Sequence, residues 1–273
     1  PAWPASMVKS GFDYMAGMAP QCHFCGGPND DVTLSSRDYD KDVSVESDNV
    51  YRAMLCGLGS DGTVGANENT IKIIGTETDN SAQGYFVYDS KKSGSITTSH
   101  LRFGKNQVVA PYLINKANFV ACHNFTFLDK YDMLANLEDG GTFLLTTNLK
   151  KTQVWKELPS EVQKQLIAKK AKFYIIDAIK LAEAIGLGAR INMIMQAAFF
   201  QISGVIPPEE AFKYMKTAIK KNYGKKGDKV VKMNIDAVDK AIGALKNISR
   251  HKSGVTAGQE AYMEREAPEC GNN

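Results

Sequence analysis

The chain has 273 residues, of which 43% are hydrophobic and 23% charged, with a formal net charge of +3. That length gives ample core for one large domain or two small ones, the composition is ordinary for a soluble globular protein, and so small a net charge does not by itself imply nucleic acid. No apolar run approaches the ~18 residues needed to span a bilayer, and the start, PAWPASMVK, has neither the h-region of a signal peptide nor an initiator Met, as expected of a processed chain or a piece of a longer one.

Residues 1–47 read as an acidic linker or arm. Asp30, Asp31, Asp38, Asp40, Asp42 and Glu46 face only Arg37 and Lys41, and the stretch shows little periodicity. Residues 48–176 alternate short apolar strands with helices. Strands are predicted at 50–56, 85–88, 96–102, 119–122, 142–146 and 173–176. The words FVAC, TFLL and FYII are unbroken apolar runs, as in strands buried on both faces. Between the first two strands lies the helix-capable stretch 70–75. Gly140 and Gly141 feed the strand at 142, and Pro159-Ser160 opens a helix that runs to Lys170. From residue 177 the pattern is helical. Asp177 caps a helix that Gly186 ends, residues 191–202 are apolar nearly all round and so form a buried helix, and Pro207-Pro208 starts another with Phe212, Met215 and Ile219 on one stripe. Val231, Ile235, Val238, Ile242 and Leu245 mark a last helix packed on a single face. The fold class that follows is α/β: a three-layer α/β/α doubly wound domain over residues 48–247, with a helical C-terminal part, an extended N-terminal arm at 1–47 and a tail at 248–273.

The densest chemical signal is the turn carrying Gly57, Gly59, Gly62 and Gly65 between a strand and a helix. Glycines let the backbone bend sharply and bring its amides close to a ligand, and amides at a helix N-terminus favour an anion. A dinucleotide site would add an acid at a strand end roughly 20 residues on. Glu77 and Asp79 have that spacing but sit in the polar turn TETDNSAQG, and the next strand runs instead into Lys91, Lys92 and Ser93. Two cations and a hydroxyl at a strand end suit a phosphorylated ligand better than a bare ribose; a solvated turn has the same composition.

The words GLGSDGTVGAN, IKIIG, AQGYFVYDSKKSG, SHLRFG, YLINKANFVACH, GGTFLL, KAKFYIIDA and GLGARINMIMQAAFF, in this order, resemble the third domain of pyruvate:ferredoxin (flavodoxin) oxidoreductase. That domain corresponds to the gamma subunit of the multi-subunit 2-oxoacid:ferredoxin oxidoreductases. The resemblance runs from about Asp48 to Leu245, and ASMVKSGFDYMAG with GGPNDDVT is similar to the stretch joining the second domain to the third. It implies one part of an enzyme that oxidises pyruvate to acetyl-CoA and CO2 and passes electrons to ferredoxin or flavodoxin, inactive alone, with the remaining domains or subunits as partners. Thiamine diphosphate and iron–sulfur clusters are expected in those other domains, while this one helps bind coenzyme A. Lys91 and Lys92 would meet the phosphates and Asn192 the pantetheine arm, with Ser93 and the loop of Gly62, Thr63 and Gly65 lining the same cleft. The compartment implied is the cytoplasm, or the matrix of a mitochondrion-related organelle in a eukaryote.

One departure bears on that site. The family usually reads GANKN where this chain has GANEN, so Glu68 reverses a charge beside the expected phosphates. The alternative is therefore a non-catalytic homologue serving as a structural subunit of a larger complex. Other features are plainer. Arg190 and Asn192 open the buried helix after Gly186 and Gly188, facing either a ligand or neighbouring backbone. The run from Lys213 to Lys232 reads as a solvated helical face, or as a dock for an acidic partner. Cys22 and Cys25 form a single C-x-x-C, short of the four ligands of a zinc or iron–sulfur site, and the scattered cysteines point to a reducing compartment. His23, His100, His123 and His251 have no partner at a catalytic spacing, and His100 reads as a hydrogen-bonded strand residue.

Overall fold

A computed structural model of the chain describes residues 4–17, 22–26, 32–33, 35–40, 43, 45–59, 61–88 and 95–248. The elements run α1 (Ala5–Met15), β1 (Cys25–Gly26), β2 (Ser36–Arg37), β3 (Val50–Leu58), α2 (Thr63–Glu77), β4 (Ser81–Tyr88), β5 (Ile96–Gly104), β6 (Ala117–Cys122) and β7 (Leu137–Thr146). There follow α3 (Val154–Glu157), α4 (Ser160–Ala168), β8 (Lys172–Ile176), α5 (Ala178–Ile185), α6 (Asn192–Ser203), α7 (Pro208–Tyr223), α8 (Asp228–Ala244) and β9 (Lys246–Asn247).

The main sheet has seven strands in the order β4-β5-β3-β6-β7-β8-β9. Its centre, β3-β6-β7-β8, is parallel. The hairpin β4–β5 adds antiparallel strands beside β3, and β9 closes the other edge antiparallel to β8. The period of two along each strand sorts side chains to two cores. Ala53, Leu55, Phe119, Ala121, Leu144 and Ile176 face a layer made by α2, α5, α6, α7 and α8. Met54, Val120, Cys122, Phe143, Leu145, Phe173 and Ile175 face the opposite layer, where Val154, Val162 and Leu166 of α3 and α4 pack. The apolar words read from the sequence are thus buried on both sides, as a three-layer α/β/α sandwich requires.

Helix starts follow local chemistry. Asp177 accepts from the amide of Lys180 at the head of α5, and Gly186 ends that helix with φ +88°. Pro159 and Pro207 sit at the caps of α4 and α7. α6 is buried almost all round, with Phe199 against Phe119 and Phe103 beneath the sheet.

The arm is more ordered than its composition suggests. α1 lies within it, Gly11 of α1 sits over Phe24, and Tyr14 meets Phe24 edge-on at 5.2 Å between ring centroids. The Arg37 guanidinium lies 4.1 Å from the centroid of the Tyr14 ring. One of the arm's acids, Glu46, is not solvated: it is buried against Arg102 of β5.

Candidate functional site

Connections from the adjacent parallel strands β3 and β6 leave toward opposite faces. β3 feeds α2 in one layer, whereas β6 leads into Phe127 and Leu128 in the other. A crevice outside the carboxyl ends of strands at such a reversal is where open α/β sheets bind ligands. Here it holds the glycine turn.

Asp61 shapes that turn. Its carboxylate accepts from the amides of Leu58 (3.0 Å) and Thr63 (2.8 Å), folding the chain back from the end of β3 into α2. Gly57 leaves room for it: a Cβ there would lie 2.5 Å from Thr63 Oγ1 and 2.9 Å from Asp61 Oδ2. Gly62 then takes φ +83° as the N-cap of α2. A Cβ on Gly62 would lie 3.0 Å from Nδ2 of Asn192, so the head of α2 touches the head of α6. Neither N-cap residue, Gly62 of α2 or Ile191 of α6, supplies a side-chain cap.

Beside this contact opens a cleft of about 310 Å³ lined by Gly62, Gly65, Asn69, Arg190, Asn192, Met193, Ile219, Asn222, Tyr223 and Lys226. Among the described residues its lining carries two cations, three side-chain amides and no acid. Lys226 Nζ stands 5.4 Å from the centroid of the Tyr223 ring. An anion entering there would meet two positive side chains and the positive ends of two helix dipoles.

The structure therefore brings together Gly62, Gly65, Arg190 and Asn192, four of the residues singled out by sequence, and adds Asn69, Asn222, Tyr223 and Lys226. Thr63 points away from the cleft into the interior, its hydroxyl 2.8 Å from His123 Nδ1. Lys91, Lys92 and Ser93 lie outside the described residues. Glu68 is exposed on α2, and its neighbour Asn69, not Glu68 itself, lines the cleft. Lys226 came from the lysine run, and only the approach of the end of α7 to α2 gives it a role.

His123 was the residue that sequence reasoning passed over. It follows β6, and its amide donates to Cys56 O at 2.9 Å, which places the ring against the Asp61–Thr63 turn. The ring is buried, with Nδ1 3.9 Å from Asp61 Oδ2. Burial raises the Asp61 pKa, but the nearby His123 ring and the groups of Thr63 outweigh it and hold the carboxyl below its ordinary value. His100, by contrast, is the hydrogen-bonded strand residue expected: Nδ1 accepts from the amide of Ile114 at 3.2 Å, and burial, then the charge of Arg102, pull its pKa down to about 4. Among the described residues no three His, Cys, Asp or Glu side chains converge as a metal ion would need.

Fold and cleft together define an α/β domain with a polar, cation-lined pocket where two helices begin. The description "Pyruvate ferredoxin/flavodoxin oxidoreductase" matches residues 52–244, and the chain belongs to that family. It is 54% identical over 239 residues to the pyruvate-flavodoxin oxidoreductase of Trichormus variabilis, covering 88% of this chain and 20% of that one. It is 50% identical over 256 residues to the pyruvate:ferredoxin oxidoreductase of Moorella thermoacetica, covering 94% of this chain and 22% of that one. The chain thus spans about a fifth of the length of these relatives. Among solved structures, the pyruvate oxidoreductase subunit PORC of Thermotoga maritima superposes with a TM-score of 0.59 at 17% identity, over 74% of this chain and 99% of that subunit. The 2-oxoglutarate:ferredoxin oxidoreductase of Magnetococcus marinus, solved with 2-oxoglutarate, coenzyme A and succinyl-CoA bound, gives 0.55 at 13% identity over 72% of this chain and 31% of that one. At those identities the likeness is one of fold. No described helix is long and apolar enough to cross a membrane.

Proposed function

We propose that this chain is the gamma-type part of a pyruvate:ferredoxin (flavodoxin) oxidoreductase and that the cleft at the heads of α2 and α6 receives the phosphate-bearing portion of coenzyme A. The observation that carries the reading is the meeting of Gly62 with Asn192 beside Arg190 and Lys226. Phosphates need paired cations and outward-facing amides, and among the described residues this cleft offers both without an opposing acid. Lys91, Lys92 and Ser93 keep a place in the proposal on the sequence alone, as a second set of phosphate contacts. Glu68 lies one residue from the cleft wall, where it would weaken binding without blocking it.

In this reading the domain runs from 48 to 247, with the arm before it and the tail from 248 to 273 after it. Other parts of the enzyme hold thiamine diphosphate and the iron–sulfur clusters, and electrons leave to ferredoxin or flavodoxin. The setting would be the cytoplasm or an organelle matrix. Relatives of which this chain covers only 20% and 22% support such an assembly, as does an apolar stripe on α1. There Val8, Phe12 and Met15, at steps of four and three, are exposed, Phe12 by 64%. Coenzyme A titrated into the assembled enzyme, wild type and Arg190→Ala, tests the proposal: weaker binding in the variant supports it and equal binding refutes it.

A further inference from the structure

We propose that His123 is a positioning residue for this cleft, acting through Thr63 and Asp61 on the turn that carries Gly62; the inference rests on the cleft reading above. The proton arrangement follows from what each group can do. Asp61 is a carboxylate and can only accept. It already takes the amides of Leu58 and Thr63, and its Oδ2 stands 3.9 Å from His123 Nδ1. A carboxylate that near favours a proton rather than a lone pair on Nδ1, and Nδ1 lies 2.8 Å from Thr63 Oγ1. The ring therefore donates from Nδ1, and the chain of bonds runs His123 to Thr63 to Asp61 to the backbone at Leu58.

Each link is buried, and each is anchored elsewhere. His123 is pinned by its amide to Cys56 O on β3, and Gly57 of the same strand is the floor on which Thr63 and Asp61 rest. The network thus ties the end of β6 to the first residue of α2. Gly62, between Asp61 and Thr63, holds a left-handed conformation against Asn192 of α6. Loss of the Nδ1 proton donor would free Thr63 and let that turn drift, moving the α2 amides away from the cleft that Arg190 and Asn192 complete. Among the described residues the other ring nitrogen, Nε2, is buried with no hydrogen-bond partner.

Two substitutions separate the nitrogens. Asparagine places its amide nitrogen near the Nδ1 position, and glutamine places it near Nε2. In the assembled enzyme, His123→Asn should keep the apparent KM for coenzyme A within about threefold of wild type. His123→Gln and Thr63→Val should each raise it about tenfold with kcat unchanged, and the double variant should be no worse than either single one. Hydrogen exchange of the segment 57–66, read by mass spectrometry, should quicken in His123→Gln and Thr63→Val but not in His123→Asn. If asparagine is as harmful as glutamine, or none of the three moves KM while Arg190→Ala does, the proposal is overturned. If Arg190→Ala is silent as well, the cleft reading has failed, and exchange alone decides: quickening confined to His123→Gln and Thr63→Val upholds the hold of His123 on the turn, and equal exchange overturns it. Should the His123 variants not accumulate, Thr63→Ser against Thr63→Val gives the same contrast, since serine keeps the hydroxyl.

Discussion

Glu46 of the arm and Arg102 of β5 form a two-pronged ion pair inside the protein, with Nη2–Oε1 at 2.6 Å and Nε–Oε1 at 2.9 Å; the side chains are 4% and 0% exposed. The same Nη2 donates to Tyr112 O at 2.9 Å, so one guanidinium joins the arm, the sheet and the loop after β5. Removing one partner of such a pair strands a buried charge and costs about 3–5 kcal/mol, whereas exchanging both for apolar groups of similar volume is often nearly neutral. Glu46→Ala and Arg102→Ala should therefore each lower the urea midpoint steeply. The double change Glu46→Leu with Arg102→Met should recover most of the loss. A double variant no more stable than either single one would contradict the pairing.

Acid should loosen the fold through His100. An unfolded chain takes up a proton on this residue as pH falls through 6.5, while the folded chain resists until about 4. The folded pKa is the lower one, so stability is intact above that window and falls across it, by up to about 3 kcal/mol. Asp61 acts below the window, because a depressed carboxylate pKa loses its contribution only as the acid form appears. His100→Asn should flatten the stability curve between pH 6.5 and 4; an unchanged slope would assign it to another group.

Much of this architecture was legible along the chain. Helix starts at Pro159, Asp177 and Pro207 and the stop at Gly186 depend on neighbours a few residues away, and the buried strands announce themselves as FVAC, TFLL and FYII. The site was readable in halves: Gly62 and Asn192 each look like a ligand contact, but nothing local says that they touch. What escaped the sequence was long-range pairing. Glu46 and Arg102 are 56 residues apart, and Thr63 and His123 are 60 apart. An acid in an acidic arm and a histidine after a strand carry no mark of a partner that far away. α1 was missed because Gly11 and Gly17 mask a stripe of Val8, Phe12 and Met15 that is apolar yet exposed.

The cysteines should divide by burial. Cys56 and Cys122 lie opposite each other on β3 and β6, and burial pushes their thiols up to about 11 and 12. Little thiolate forms near neutrality, so alkylation depends on opening of the core. Iodoacetamide on the native protein, followed by peptide mapping, should mark exposed Cys22 and leave Cys56 and Cys122 until denaturant is added. Early labelling of Cys122 would mean that the β3–β6 core opens easily.

The stripe on α1 should matter only in the assembly. Phe12→Ser removes an exposed ring from the isolated chain, and surface changes of this kind stay within about 0.5 kcal/mol. If the stripe packs against another part of the enzyme, the same change should lower the melting temperature of the assembled protein by several degrees. Equal melting shifts in both preparations would leave the stripe as plain surface.

The central claim is that coenzyme A is held where α2 and α6 begin. The most direct measurement is the apparent KM for coenzyme A and for pyruvate in the assembled enzyme, with Arg190→Ala, Lys226→Ala and Glu68→Lys compared with wild type. Losing one charge-assisted contact at a partly exposed cleft should weaken binding by about tenfold. The account predicts a raised KM for coenzyme A in the two alanine variants, a lowered one in Glu68→Lys, and an unchanged KM for pyruvate in all three. Coenzyme A values equal to wild type across the set, or pyruvate values that shift in step with them, would contradict it.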